Sequence, residues 1–184
     1  MKKNQIYLWL ISFVYLIIGS CFVIFKPLYS DEGYYFWAAK NVWQGKLIYV
    51  DFLYHQLPLL PFIYAPISDF GIYSYYILRF TSIIFTLLLI ILIYRHVLSI
   101  TCNYNAAVFG AALIVFNGMF IEWNSVIKMY ALDNLLCYLS FYIITTADLS
   151  KTEKLKIFIC GLSLGIASNS RVTYFAICII VFGY

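Results

Sequence analysis

Charge is scarce in this chain. Asp, Glu, Lys and Arg make up 11% of its 184 residues and hydrophobic residues 64%, with a mean hydropathy of +0.89. Soluble domains carry nearer a quarter charged and half apolar residues, so an ordinary water-soluble fold is excluded. Basic clusters are missing as well. The net charge of +4 is modest and too dispersed for a nucleic-acid partner. Cysteine pairing is absent too: Cys21, Cys102, Cys137, Cys160 and Cys178 form no C-x-x-C pair. Four of them lie inside apolar runs, where they read as small apolar fillers rather than metal or redox groups. No internal repeat or low-complexity tract is present.

What the chain has instead is membrane-length apolar runs, at about 6–25, 77–94, 105–121, 131–147, 157–168 and 172–184. About 20 such residues cross the roughly 30 Å of bilayer hydrocarbon at 1.5 Å per residue. The first run follows Lys2-Lys3 like a signal peptide. Its apolar core is too long for one, however, and no small-x-small cleavage site precedes Asp31, so a retained helix is expected. The expectation is an all-α polytopic membrane protein with about six transmembrane helices. The proline-broken stretch 57–67 (LPLLPFIYAPI) is too short to span and reads as re-entrant or interfacial. Residues 26–76 then form one long external loop. Cations divide evenly between the two sides, so their count does not orient the chain. The short loops holding Lys2-Lys3, Arg95 and the cluster 151–156 set the expected orientation, with the N-terminus cytoplasmic and the long loop outside the plasma membrane. Because Tyr184 ends the chain inside an apolar run, the N-terminal portion of a longer protein is expected.

Function is expected to concentrate in that loop. It opens with two adjacent carboxylates, Asp31-Glu32, ahead of Tyr34, Tyr35, Phe36, Trp37 and Trp43. Ser30 or Asp31 is a suitable N-cap, Glu32 falls in the first turn, and Gly45 is a natural stop. The aromatic helix between them suits the headgroup layer, which holds Asp31 at the membrane surface. There a carboxylate can take a proton from an acceptor hydroxyl. Capping an interfacial helix accounts for the acid pair equally well. Asp51 and His55 are further polar groups able to touch a phosphate, a sugar or a metal. A divalent cation such as Mg or Mn on Asp31, Glu32 or His55 is chemically allowed, without diagnostic spacing. Lys128 and Arg171 are cations beside helix ends, suited to a phosphate leaving group or to snorkelling. Arg79 is read as a partner of Asp69 or an interfacial anchor.

Taken in order, these elements resemble a known pattern. Asp31-Glu32 is followed by Tyr34, by Ala39-x-x-Val42-x-x-Gly45, by Tyr49-x-Asp51-Phe52, then by His55-x-x-Pro58 and Pro61-x-x-Tyr64. Leu78-Arg79-Phe80, Lys128-Met129-Tyr130-Ala131-Leu132, and Gly161 and Gly165 ahead of Arg171 continue it. The chain resembles the N-terminal part of the GT-C membrane glycosyltransferases, nearest the bacterial and archaeal relatives of protein O-mannosyltransferases and aminoarabinose transferases. Lys128 stands where that family has arginine. The resemblance implies transfer of a sugar, with inversion, from a polyprenyl-phosphate donor to a glycan, lipid or protein acceptor at the extracytoplasmic face. It implies Asp31 as catalytic base with Glu32 as a second catalytic residue orienting the acceptor or a divalent ion, and Lys128, Arg171, His55, Asp51 and Tyr34 on the donor. A polytopic transporter or flippase component, or an inactive membrane scaffold, are the rival readings.

Overall fold

A computed structural model describes residues 3–146, 154–171, 173, 174 and 176. The described residues are helical, with α1 at Lys3–Phe25, α2 at Ser30–Trp43, α3 at Leu59–Tyr64 and α4 at Ser74–Thr101. They continue with α5 at Tyr104–Val115, α6 at Gly118–Asn124, α7 at Tyr130–Thr146 and α8 at Lys154–Ser168. Among the described residues two stretches are long and apolar enough to cross a membrane: Ile6–Phe25 in α1, and Gly71–Thr101, which is α4 with the turn before it. Their outward faces are apolar, with Trp9 67% and Phe13 61% exposed. A water-soluble protein would bury such residues, whereas lipid accepts them.

Six full-length spans are not what the described residues form. Helix α8 has 15 described residues, short of a span, and α7 has 17, at the lower limit of one. The run at 105–121 is a broken pair, α5 and α6 meeting at a 65° bend. Asn117 makes the break: its side chain accepts the Phe120 N–H at 3.0 Å and starts a new helix at Gly118. Asparagine competes in this way with the backbone ladder and therefore prefers caps to helix interiors. The sixth run, at 172–184, lies almost wholly outside the described residues.

The bundle packs by the rules of helices in lipid, where small residues bring backbones together and hydroxyls join them. Buried Tyr15 and Val23 of α1 meet Ile83 and Ile90 of α4 and Ala107 and Ala111 of α5. A Cβ on Gly19 would sit 2.7 Å from Ile83 Cδ1, so glycine allows α1 its approach to α4. Toward the other end of α4, buried His96 shares hydrogen bonds with Tyr138 Oη at 2.9 Å and Thr145 Oγ1 at 2.7 Å, tying α4 to α7. Ser140 and Ser163 hydroxyls, 2.5 Å apart, join α7 to α8. The segment at 57–67 forms the six-residue α3 and one further tight turn, too short to span. Helices α2 and α3 lie over one end of the bundle, where Tyr35, Ala38, Tyr64, Leu78 and Ile127 share a second core.

Candidate active site

The site is assembled from the turn between α1 and α2. Glu32 reaches back so that its Oε2 accepts the Tyr29 N–H at 3.2 Å, while the Tyr29 carbonyl accepts the Glu32 N–H at 3.1 Å. The residue capping α2 is therefore Tyr29, not Ser30 or Asp31 as the sequence suggests. At the far end, Gly45 takes φ +83°, the left-handed stop expected of it.

Glu32 is fully buried. Its Oε1 accepts from Arg79 Nε at 3.0 Å and from the Ile127 N–H at 2.8 Å. Its Oε2 accepts from Arg79 Nη2 at 2.6 Å and from the Tyr75 hydroxyl at 2.7 Å. Arg79 spends its other donors on the end of α1, bonding the carbonyls of Val23 at 3.0 Å, Lys26 at 2.9 Å and Pro27 at 3.0 Å. All five guanidinium N–H groups are thereby used. Two sequence expectations change here. Arg79 pairs with Glu32 rather than Asp69. Glu32, read as a catalytic residue or metal ligand, has both oxygens saturated by protein donors and holds the scaffold instead.

Its neighbour points the other way. The Asp31 side chain is 58% exposed and its Oδ2 lies 2.8 Å from Lys128 Nζ. Because Glu32 grips the Ile127 N–H, one buried carboxylate fixes both Asp31 on α2 and Lys128 on the connection before α7. Lys128 is nearly buried, its ammonium 4.9 Å from the Trp123 ring centre and 5.7 Å from that of Tyr130. Arg171 lies over Tyr130 at 4.3 Å. These cation–π contacts hold two charges near each other in a partly desolvated place. Arg171 forms no ion pair with a described carboxylate.

The opposite wall comes from the loop after α2. The His55 ring stacks on Tyr34 at 4.7 Å between centres. The Tyr34 hydroxyl donates to the Leu53 carbonyl at 3.1 Å and accepts the His55 N–H at 3.3 Å, which fixes the loop. Asp31, Tyr34, His55, Lys128 and Arg171, all singled out from the sequence, line one cavity of about 320 Å³. Tyr35, Gln56 and Tyr130 complete it. The Gln56 amide donates to the Tyr35 hydroxyl at 2.8 Å, so neither is idle. Asp51 is elsewhere: its Oδ2 accepts the Leu47 N–H at 2.7 Å and closes an exposed turn. The short side chain caps its own loop, as aspartate does in turns.

The described donor set is poor in ligands for a divalent cation. Asp31 is the only described carboxylate lining the cavity, and it faces Lys128 with Arg171 nearby. Hard cations take about six or more oxygen ligands, and the described cavity lining offers a single carboxylate. Among the described residues no cluster of three His, Cys, Asp or Glu side chains is placed to hold one.

Comparison with protein-family models, curated proteins and solved structures finds no match for this chain. The functional reading therefore rests on the cavity together with the sequence resemblance.

Burial pushes the Glu32 carboxyl up, but Arg79, the Ile127 N–H, the Tyr75 hydroxyl and the Tyr29 N–H hold it below its ordinary value of 4.5. A carboxylate depressed in the folded state stabilises fully above its unfolded value, and that stabilisation is lost as pH falls through the folded one. The unfolding temperature in detergent is expected to drop below about pH 4. Glu32→Gln should flatten that part of the profile. An acid limb equally steep in both proteins would assign the acid sensitivity to other groups.

Proposed function

We propose that this chain is a membrane-embedded glycosyltransferase of the GT-C kind, moving a sugar from a polyprenyl-phosphate donor to an acceptor hydroxyl. One observation carries the reading. An accessible carboxylate, Asp31, shares a cavity with two cations, Lys128 and Arg171, at one end of an apolar helical bundle. Base and phosphate receptor are the two functions such a transfer requires, and a lipid-tethered donor reaches that end from the bilayer.

In the proposed reaction the Asp31 carboxylate takes the proton of the acceptor hydroxyl. The acceptor oxygen attacks the anomeric carbon from the face opposite the phosphate. The carbon–oxygen bond to the phosphate breaks, its electron pair leaves with the phosphate, and configuration inverts. Lys128 and Arg171 neutralise the charge that grows on the departing polyprenyl phosphate, which is where fixed cations lower a barrier most. Lysine in place of arginine supplies a point charge rather than a planar fork, so Arg171 carries the bidentate part of the contact. The stacked Tyr34 and His55 rings offer an apolar face for a sugar ring. Glu32 and Arg79 position Asp31 and Lys128 without touching substrate. The acceptor is a glycan, lipid or protein hydroxyl. With the N-terminus cytoplasmic, the cavity opens at the extracytoplasmic face of the plasma membrane.

The donor class is testable directly. Membranes carrying the protein are expected to transfer sugar from a panel of polyprenyl-phosphate sugars and not from the matching nucleotide sugars. Transfer from nucleotide sugars alone, or from no donor with the protein well inserted, would contradict the proposal.

A further inference from the structure

The cation suited to the donor phosphate is already occupied. Lys128 Nζ lies 2.8 Å from Asp31 Oδ2, so the base and the phosphate receptor are bonded to each other. The two partners differ in freedom. The Lys128 side chain is 8% exposed and boxed by Trp123 and Tyr130, whereas that of Asp31 is 58% exposed. Arg171, over the same Tyr130 ring, has no described carboxylate on it. A phosphate entering the cavity thus meets one cation not committed to a described acid and one held by Asp31.

We infer that the Asp31–Lys128 pair is a resting lock which the donor phosphate opens, taking over Lys128 and releasing Asp31 to act as base. This rests on the glycosyltransferase reading above and adds to it an order of events. The phosphate docks first on Arg171. It then draws the ammonium of Lys128, which pivots within its aromatic box because a lysine can redirect three donors about one charge. With the ammonium turned to the phosphate, the Asp31 carboxylate becomes the stronger base, since an adjacent cation favours the carboxylate form and weakens its hold on a proton. The acceptor is activated only after the donor is seated. An empty site keeps its base masked.

The lock makes a prediction of unusual sign. If Asp31 and phosphate compete for Lys128, removing the Asp31 charge must tighten binding of the anion, by the reciprocity of linked equilibria. Binding of undecaprenyl phosphate, which carries no sugar, is measured to the protein in lipid nanodiscs. Asp31→Asn is expected to bind it about tenfold more tightly than wild type, within the usual range of coupling between sites. Lys128→Met should bind it at least about tenfold more weakly. Adding Asp31→Asn to Lys128→Met should restore little, because the competition has lost its object. Asp51→Asn removes the same charge from the same loop but outside the cavity, and should change binding less than about twofold. Asp31→Ser serves as the second variant should Asn misfold.

Affinity unchanged or weakened in well-folded Asp31→Asn and Asp31→Ser would overturn the lock while leaving the donor assignment standing. Equal tightening by Asp51→Asn would overturn it as well, by reducing the effect to general charge. No binding by wild type or any variant would instead remove the donor reading on which the lock depends.

Discussion

Replacing Arg79 with methionine is expected to lower the unfolding free energy by about 3–5 kcal/mol, the usual cost of removing one partner from a buried ion pair. Glu32 would be left fully buried without its counter-charge. The carbonyls of Val23, Lys26 and Pro27 would lose their donor in the same step. Arg79→Lys keeps the charge but not the five-donor fork, so it should recover only part of the loss. Adding Glu32→Gln to Arg79→Met removes the stranded charge and should restore stability relative to Arg79→Met alone. Unfolding in detergent, followed by heat or by SDS titration, measures all three. A loss under about 1 kcal/mol in Arg79→Met, the size of an exposed pair, would mean that this network does not hold the head of the bundle.

The network also explains which parts of the protein were legible in sequence. Local features were read well, because helix α2 is framed by neighbouring residues. Its aromatic run, its early acids and the stop at Gly45 lie within one stretch, and α2 occupies Ser30–Trp43 as that pattern suggests. The all-helical architecture followed from apolar run length. Span number did not follow, since run length is blind to a break such as the one Asn117 makes between α5 and α6. The signal was present in Asn117-Gly118, a cap residue followed by a glycine inside an apolar run.

Long-range pairing was the harder part. Glu32 meets Arg79 across 47 positions and Asp31 meets Lys128 across 97. Nothing in the spacing of either pair distinguishes it from its rivals. Asp69 lies far nearer to Arg79 in sequence than Glu32 does, and sequence distance favours the wrong acid. One clue favoured a buried role: an arginine within an apolar helix must find acceptors inside the protein, since lipid offers none. Of the five candidates that converge, Asp31, His55, Lys128 and Arg171 stand out by residue type at helix ends and in the aromatic loop, and Tyr34 enters through the family resemblance alone. Asp51 shared those traits, but its own turn claims it. Tyr35, Gln56 and Tyr130 were missed as site residues because uncharged groups in an aromatic-rich chain carry no distinguishing mark.

Adjacent acids thus carry unlike duties. Glu32 is saturated by protein donors and Asp31 opens to the cavity, so their substitutions should separate stability from activity. Asp31→Asn keeps size and much hydrogen-bonding capacity while removing the base. Losing a general base costs roughly 10²–10⁴ in rate, and that is the loss expected here. The fold should hardly notice, because the Glu32–Arg79 contacts that fix α2 do not include the Asp31 carboxylate. Glu32→Gln, by contrast, should lower the unfolding temperature.

The deciding measurement is sugar transfer from polyprenyl-phosphate donors by membranes carrying wild type or Asp31→Asn, at matched levels of folded protein. The expected result is transfer in wild type and a fall of at least about 100-fold in the variant, with the unfolding temperature retained. Transfer by Asp31→Asn within about threefold of wild type would contradict the account, because no general base could then reside at Asp31.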